Sequence, residues 1–400
     1  MGMNDTPLAN RVHIGFFGRR NAGKSSVVNA VTGQELSVVS EIKGTTTDPV
    51  TKSMELLPLG PVLIIDTPGF DDDGELGELR IKKTKQVLNK TDVAVLIVDA
   101  TVGMTAVDYE IVDIFRKKDI KYILVYNKCD LLEVKDMIRL SSEENAILVS
   151  AKDKKNIDQL KEKISLMTDD RKERKPVSDL VEPKDIVILV IPIDGSAPKG
   201  RLILPQQQII RDLLEVGAVV VAVKENEIKD TLEMLSDKPK LVITDSQVFK
   251  TVAENIPSDI KLTSFSILMA RYKGFLKTAI NGAFAIDELK DGDRILIAEG
   301  CTHHRQCEDI GTVKLPEWIR NYTGKDFEFD FCSGNDYPEE LQQYKVIIHC
   351  GGCMLSEREI RYRMKCAADA GVPFTNYGTV IALTQGILTK TIEIFNNKYD

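Results

Sequence analysis

Residues 13–25 read His13-Ile14-Gly15-Phe16-Phe17-Gly18-Arg19-Arg20-Asn21-Ala22-Gly23-Lys24-Ser25. An apolar stretch of strand length runs straight into Gly-x-x-x-x-Gly-Lys-Ser, and a helical pattern then continues to Gly33. Strand, glycine-rich turn and helix in that order are what a phosphate-binding loop requires. Glycines let backbone N–H groups close around a β-phosphate, and the helix start contributes the positive end of its dipole. In such a loop Gly18, Asn21 and Gly23 shape the backbone, Lys24 reaches the β- and γ-phosphates, Ser25 ligates Mg²⁺, and Ser26 follows at the helix start.

Outward from this loop, apolar runs at 62–66, 93–99, 122–126 and 146–149 alternate with polar-periodic stretches, the rhythm of a parallel sheet with crossover helices. Three of the runs end in polar motifs: Asp66-Thr67-Pro68-Gly69, Asn127-Lys128-Cys129-Asp130 and Ser150-Ala151-Lys152. This is the order a GTPase demands. The Asp130 carboxylate can accept both hydrogens of guanine's N1–H and exocyclic amine, which adenine does not offer at that edge. Asn127 belongs to the same base-reading motif, and Lys128 can lay its stem over the base. Asp66 is expected to hold Mg²⁺ through water, and Gly69 to direct its N–H at the γ-phosphate. Within Gly44-Thr45-Thr46-Thr47-Asp48, Thr46 is the residue expected to bring the switch hydroxyl to Mg²⁺.

Length and charge bound the rest. At 400 residues the chain has room for two or three domains. Apolar residues at 43% and charged residues at 28% describe an ordinary globular protein and exclude extended disorder, collagen and coiled coil. A net charge of -8 gives no global field to attract nucleic acid, so no nucleic-acid partner is expected. No apolar run approaches the roughly 18 residues of a membrane helix, and no secretory pattern opens the chain. A cytoplasmic location without membrane attachment is expected. Seven cysteines, an odd number at low density, disfavour a disulfide framework and favour metal or redox chemistry.

From Thr168 to Lys184 the chain reads TDDRKERKPVSDLVEPK, dense in charge with two prolines. It is expected as a linker. A second α/β alternation follows, with strand-length runs at 186–193, 219–223 and 241–244, and a third with runs at 294–298 and 346–349 and closing helical patterns at 356–370 and 380–395. The expected organisation is α/β throughout: a phosphate-loop GTP-binding domain at 1–170, a linker at 171–184, and two further α/β domains with parallel sheets at 185–270 and 271–400.

Three of the four histidines lie beside cysteines in the last third: Cys301-Thr302-His303-His304, a long interval, then His349-Cys350-Gly351-Gly352-Cys353. Each half follows directly on an apolar strand. Residues just past neighbouring ends of parallel strands converge on one crevice, which brings the halves together. The Gly351-Gly352 pair lets backbone amides bend around a metal or sulfide. Spacing leaves two chemistries open, tetrahedral zinc on Cys301, His303, Cys350 and Cys353, or an iron–sulfur cluster on the three cysteines. In the second, His303 or an exchangeable external group completes the fourth iron. Strand alternation that points Cys350 into the crevice points His349 away. Cys307 and Cys332 are less well placed as ligands.

The first domain resembles the translation-factor-related GTPases of the tRNA-modification and ribosome-assembly kind. Their switch I often reads Gly-x-Thr-Arg-Asp, from which Thr47 departs, and Phe70 stands where Ras-like enzymes carry a water-orienting glutamine. Intrinsic hydrolysis is therefore expected to be slow. The resemblance implies that Asn21 binds K⁺ near the β/γ bridge; loop hydrogen bonding is the other role open to it. Over essentially the whole chain, the GTPase domain, the middle α/β domain and the Cys-x-His, spacer, His-Cys-x-x-Cys arrangement resemble the HydF family of [FeFe]-hydrogenase maturation GTPases. That resemblance implies a three-domain homodimer, with 185–270 as dimerisation domain and 271–400 as iron–sulfur domain. It implies GTP, Mg²⁺, K⁺ and a [4Fe–4S] cluster as cofactors. The implied role is a GTP-hydrolysing scaffold and carrier that assembles and delivers the di-iron subcluster precursor to apo [FeFe]-hydrogenase, with the radical SAM maturases HydE and HydG as partners. The alternative is a tRNA-modification or ribosome-assembly GTPase with a zinc-stabilised C-terminal domain.

Overall fold

All five apolar runs read as strands in the first 170 residues join one sheet. The computed structural model describes residues 10–33, 50–67, 87–168, 174–193, 202–300, 310–334 and 336–396. Thr46, Gly69, Cys301 and His303 lie outside the described residues. The chain divides into two compact units, Met1–Lys172 and Glu173–Asp400.

In the first unit β1 (Val12–Gly18), β2 (Val50–Leu56), β3 (Gly60–Asp66), β4 (Val93–Asp99), β5 (Lys121–Asn127) and β6 (Ala146–Leu148) lie in the order β2-β3-β1-β4-β5-β6. All pairs are parallel except β2 with β3. The central strands are continuous apolar runs because both faces are covered. Val27, Val28 and Val31 of the helix Lys24–Thr32 pack on one face with Leu160 and Ile164, and Ile111, Val112 and Phe115 pack on the other. β2 is an edge strand whose mostly exposed side chains include Lys52 and Glu55, a composition that discourages pairing with another chain. Its sequence carries no apolar run, so periodicity does not reveal it.

The second unit holds two four-stranded parallel sheets. One contains β7 (Ile186–Val190), β8 (Val219–Val223), β9 (Leu241–Thr244) and β10 (Lys261–Ser264), in the order β10-β9-β7-β8. The other contains β11 (Arg294–Glu299), β12 (Glu328–Ser333), β13 (Val346–His349) and β14 (Phe374–Asn376), in the order β12-β11-β13-β14. A single hydrophobic core runs across both sheets, from Val177 to Phe395, and includes the helices Phe265–Tyr272 and Leu276–Phe284.

Two sequence expectations are corrected here. From Arg174 onward the stretch expected as a linker is built into the second unit. Val177 and Val181 enter its core, and the Asp212 carboxylate accepts from the Val177 and Ser178 amides at 2.8 and 2.7 Å. Charge density masked the two valines. The closing helical pattern at 380–395 is two helices, Tyr377–Thr384 and Leu388–Ile392, separated where Gly386 takes φ +70.

Candidate functional site

The described candidate residues of the first unit lie at or beyond the carboxyl ends of its parallel strands. β1 lies between β3 and β4, so the chain reverses its direction of winding there, and the loop after β1 occupies the crevice this creates. Gly23 sits at φ +84, and a Cβ there would collide with the Asn127 amide, so both the backbone and the space demand glycine. Asn21 also takes a left-handed conformation, which asparagine tolerates better than most residues. The Lys24 ammonium pairs with the Asp66 carboxylate across the crevice. Thr67 anchors the end of β3 by donating its hydroxyl to Phe16 O at 2.8 Å.

Asn127, 3% exposed, ties three segments together. Its Nδ2 donates to Ala22 O at 3.0 Å, and its Oδ1 accepts from the Ala151 amide at 3.1 Å. It thereby holds the phosphate loop against the Ser150-Ala151-Lys152 turn. Ser150 Oγ accepts from the Asp153 amide at 3.2 Å, closing that turn, while Asp130 and Lys152 are exposed beside it. Ser25 is half-buried and Ser26 exposed at the start of the helix. Lys128 reaches Asp99 Oδ2 at 2.6 Å. Burial pushes the Asp99 carboxyl up, but the bonds from Lys128 and Thr101 outweigh it and hold the group below its ordinary value. Asp99 is not singled out by the sequence reading; its signal is an aspartate closing the apolar run of β4.

The second unit repeats the architecture at its cysteines. β11 lies between β12 and β13, so the crevice of this sheet opens beyond the ends of β11 and β13, where Gly300 and Cys350 follow. The two loops are joined. The Cys350 amide donates to Ala298 O at 2.9 Å, and Cys350 Sγ accepts from the amides of Gly300 at 3.1 Å and Gly352 at 3.3 Å. Gly352 takes φ +60 against Ile360, which lets the chain between Cys350 and Cys353 fold back on the sulfur. Burial pushes the Cys350 thiol up to about 11, partly opposed by the two amides. Burial likewise raises the Cys353 thiol, with Lys273 opposing. Both cysteines are half-buried, and a sulfur that already receives backbone N–H groups fits a thiolate-bound metal or cluster, whose binding drives the protons off. Among the described residues no group of three or more His, Cys, Asp or Glu forms a complete metal site. Cys332, on β12 opposite Ala298, is buried, and burial raises its thiol to about 11.

Behind the cysteine loop lies a network that sequence spacing does not disclose. The His349 ring is fully buried. Its Nδ1 is 2.8 Å from Cys350 O and its Nε2 is 3.1 Å from Arg363 Nη1. Arginine can only donate, so Nε2 accepts and Nδ1–H donates. Burial, then Arg363, lowers the imidazole to about 3, so it is neutral at physiological pH. Arg363, itself fully buried, also donates to Glu359 Oε1 at 3.0 Å and to Gly334 O, and lies over the Tyr337 ring. In sequence Arg363 is one charge among many on a polar helix. Removing one member of a buried charge pair leaves the other uncompensated, so Arg363→Ala is expected to destabilise the second unit by about 3–5 kcal/mol. Urea denaturation of the full chain measures this, and a loss below about 1 kcal/mol would remove the network's structural role.

Lys273 ends the helix Phe265–Tyr272 and is also invisible to motif reading. Its ammonium donates to Leu355 O at 2.6 Å and to Gly352 O. Burial lowers it to about 8, against the opposing influence of Cys353, Cys350 and Glu357.

Three family models match successive parts of the chain. Residues 13–128 match the 50S ribosome-binding GTPase model, residues 177–274 the hydrogen maturase F dimerization domain, and residues 277–394 the hydrogen maturase F tetramerization domain. The two maturase models together span more than half of the 400 residues. The chain belongs to the hydrogen maturase F family. Its first unit is a GTPase domain that binds GTP and Mg²⁺, and its fold is the expected α/β arrangement of a phosphate-loop domain followed by further parallel sheets. The dimerization and tetramerization domain matches support oligomerisation.

Among curated relatives, GTPase Der of Wolinella succinogenes is 34% identical over 181 residues, covering 42% of this chain and 38% of that protein. The tRNA modification GTPase MnmE of Desulforamulus reducens is 31% identical over 153 residues, covering 37% of this chain and 32% of that protein. The hydrogen maturase F chain thus spans less than two-fifths of the length of either. A solved probable GTP-binding protein engB is 27% identical, covering 40% of this chain and all of that one, with a TM-score of 0.34. No helix among the described residues is long and apolar enough to cross a membrane.

Proposed function

We propose that this chain hydrolyses GTP and acts as a scaffold and carrier that assembles the di-iron subcluster precursor and delivers it to apo [FeFe]-hydrogenase. The observation that carries this reading is the crevice of the third sheet, where amides from two strand-end loops converge on Cys350 Sγ, in a chain that also carries a GTPase domain. Cys350 and Cys353, with Cys301, are the proposed thiolate ligands that would hold a [4Fe–4S] cluster, and the cluster would supply an iron site for the precursor. His303 or an exchangeable external group completes the fourth iron. Cys301 and His303 enter on sequence alone. In the first unit Lys24 and Ser25 bind the phosphates and Mg²⁺, Asp66, Thr46 and Gly69 organise the γ-phosphate region, and Asp130 reads the base. The hydrolysis is regulatory: nucleotide state changes association with partners, among them the radical SAM maturases HydE and HydG, in a cytoplasmic homo-oligomer.

Anaerobic reconstitution followed by iron, sulfide and zinc analysis tests this. Iron and sulfide with charge-transfer absorption are expected, together with activation of apo-hydrogenase by the loaded chain. Stoichiometric zinc would favour the tRNA-modification or ribosome-assembly reading, with which the likeness of the first unit to Der and MnmE is compatible.

A monovalent cation at Asn21 has its own signature. GTP turnover is expected to be about tenfold or more faster in K⁺ than in Na⁺ at equal ionic strength, because a fixed cation stabilises charge developing at the β/γ bridge. Asn21→Ala should erase the difference. Equal rates in the two salts would leave Asn21 with loop shaping alone.

A further inference from the structure

Lys273 is 3% exposed, yet both groups to which its ammonium donates are backbone carbonyls, Gly352 O and Leu355 O. A buried charge is normally paired with an opposite charge, because the desolvation penalty is several kcal/mol per ion. The carboxylate that bears on Lys273 is Glu357, and it is already shared. Its Oε1 accepts from Arg174 Nη1 at 2.9 Å and from Arg361 Nη2 at 2.5 Å. Glu357 also opens the helix Glu357–Asp369, whose positive dipole end faces the same loop. Glu299, the other carboxylate that acts on Cys350, closes β11 and accepts from Tyr377, and Glu359 of the same helix start is held by Arg363, so none of the three carboxylates is bonded to Lys273. Among the described residues the buried ammonium is thus bonded only to the backbone of the turn that carries Cys350 and Cys353, which leaves its charge without a bonded anion.

A four-iron cluster held by three thiolates carries net negative charge, which neither the neutral thiols nor the carbonyls supply. Resting on the cluster reading above, we infer that Lys273 is a positioning residue for the cluster. Through Gly352 O and Leu355 O it fixes the turn between the two cysteines, and its ammonium is the counter-charge of the cluster. Lys273 falls within the segment matched by the dimerization-domain model, whereas the turn it holds falls within the tetramerization-domain match. One side chain thus bridges the two modules.

The test uses the full chain, reconstituted anaerobically with ferrous iron and sulfide, as the parent protein, as K273Q and as K273M. Glutamine keeps a donor for the carbonyls and removes the charge; methionine removes both. Far-ultraviolet dichroism monitors folding, and K273Q keeps the test informative if K273M does not fold. K273Q is expected to hold the parent's iron content. Electron paramagnetic resonance titration of its cluster should show the oxidised-to-reduced ratio raised about tenfold at a fixed potential, a fall of about 59 mV in a one-electron midpoint. K273M should show the same shift and also lose iron to a chelator about tenfold faster. A parent-like midpoint in K273Q would overturn the counter-charge role, and parent-like iron loss in a folded K273M would overturn the positioning role. Failure of the unaltered chain to take up iron and sulfide would overturn the cluster reading itself, and this inference with it.

Discussion

Replacing Lys24 by alanine is expected to weaken GTP binding by about a hundredfold to several thousandfold while leaving reconstituted iron content at the parent level. The ammonium lies at the floor of the phosphate crevice beside Asp66, so its loss strips the site of a cation and leaves a carboxylate facing the phosphates. An uncompensated, partly buried charge of this kind is worth about 3–5 kcal/mol, which sets the range in Kd. The reciprocal variant, Cys350→Ala, should lose the cluster and retain GTP binding, because the two sites belong to separate compact units. Calorimetric titration with GTP and iron analysis on the same preparations check both. Loss of nucleotide binding in Cys350→Ala would show that the metal holds the whole chain together.

Asp130→Asn is expected to reduce GTP affinity by about 10⁴-fold and to create affinity for xanthosine triphosphate. A site built to accept hydrogen bonds from a base discriminates at about that level once its acceptor is replaced, since the amide opposes a donor with a donor. Xanthine presents a carbonyl where guanine presents its amine, and the amide satisfies it. Competition binding with the three nucleotides measures the exchange, and tight ATP binding by the unaltered chain would contradict the guanine assignment. Asn127, of the same base-reading motif, is also a structural tie. Both ends of its amide are committed to backbone, at Ala22 and Ala151, so it supports the loop whose neighbour reads the base.

The central strands and the phosphate loop are legible in the sequence because covered parallel strands are long apolar runs and the glycine pattern is dictated by backbone geometry. The position of Cys350 at a strand end is legible in the same way, because it stands directly after the apolar run of β13. What sequence does not disclose are groups whose meaning depends on long-range packing. β2 exposes most of its side chains and leaves no period; Val177 and Val181 sit in a charged stretch; Arg363, Lys273 and Asp99 look like ordinary surface charges until folding encloses them. The tautomer of His349 is equally hidden, because it is fixed by Arg363, 14 residues along the chain.

The core that runs without a break from Val177 to Phe395 has a further consequence. The two segments that family models name separately share their apolar interior: a Cβ at Gly378 would strike the Ser266 side chain, and Asn376 Nδ2 donates to Ser266 O at 3.3 Å, so the helices Phe265–Tyr272 and Tyr377–Thr384 are in close contact. Cutting the chain near 275 would strip apolar faces from both halves, which makes transplanting either half into another protein a poor engineering route. Inheritance is constrained in the same way. A substitution that loosens the cysteine crevice is felt, through Lys273, by the segment matched to the dimerization model, so the two segments are selected together, as one heritable piece.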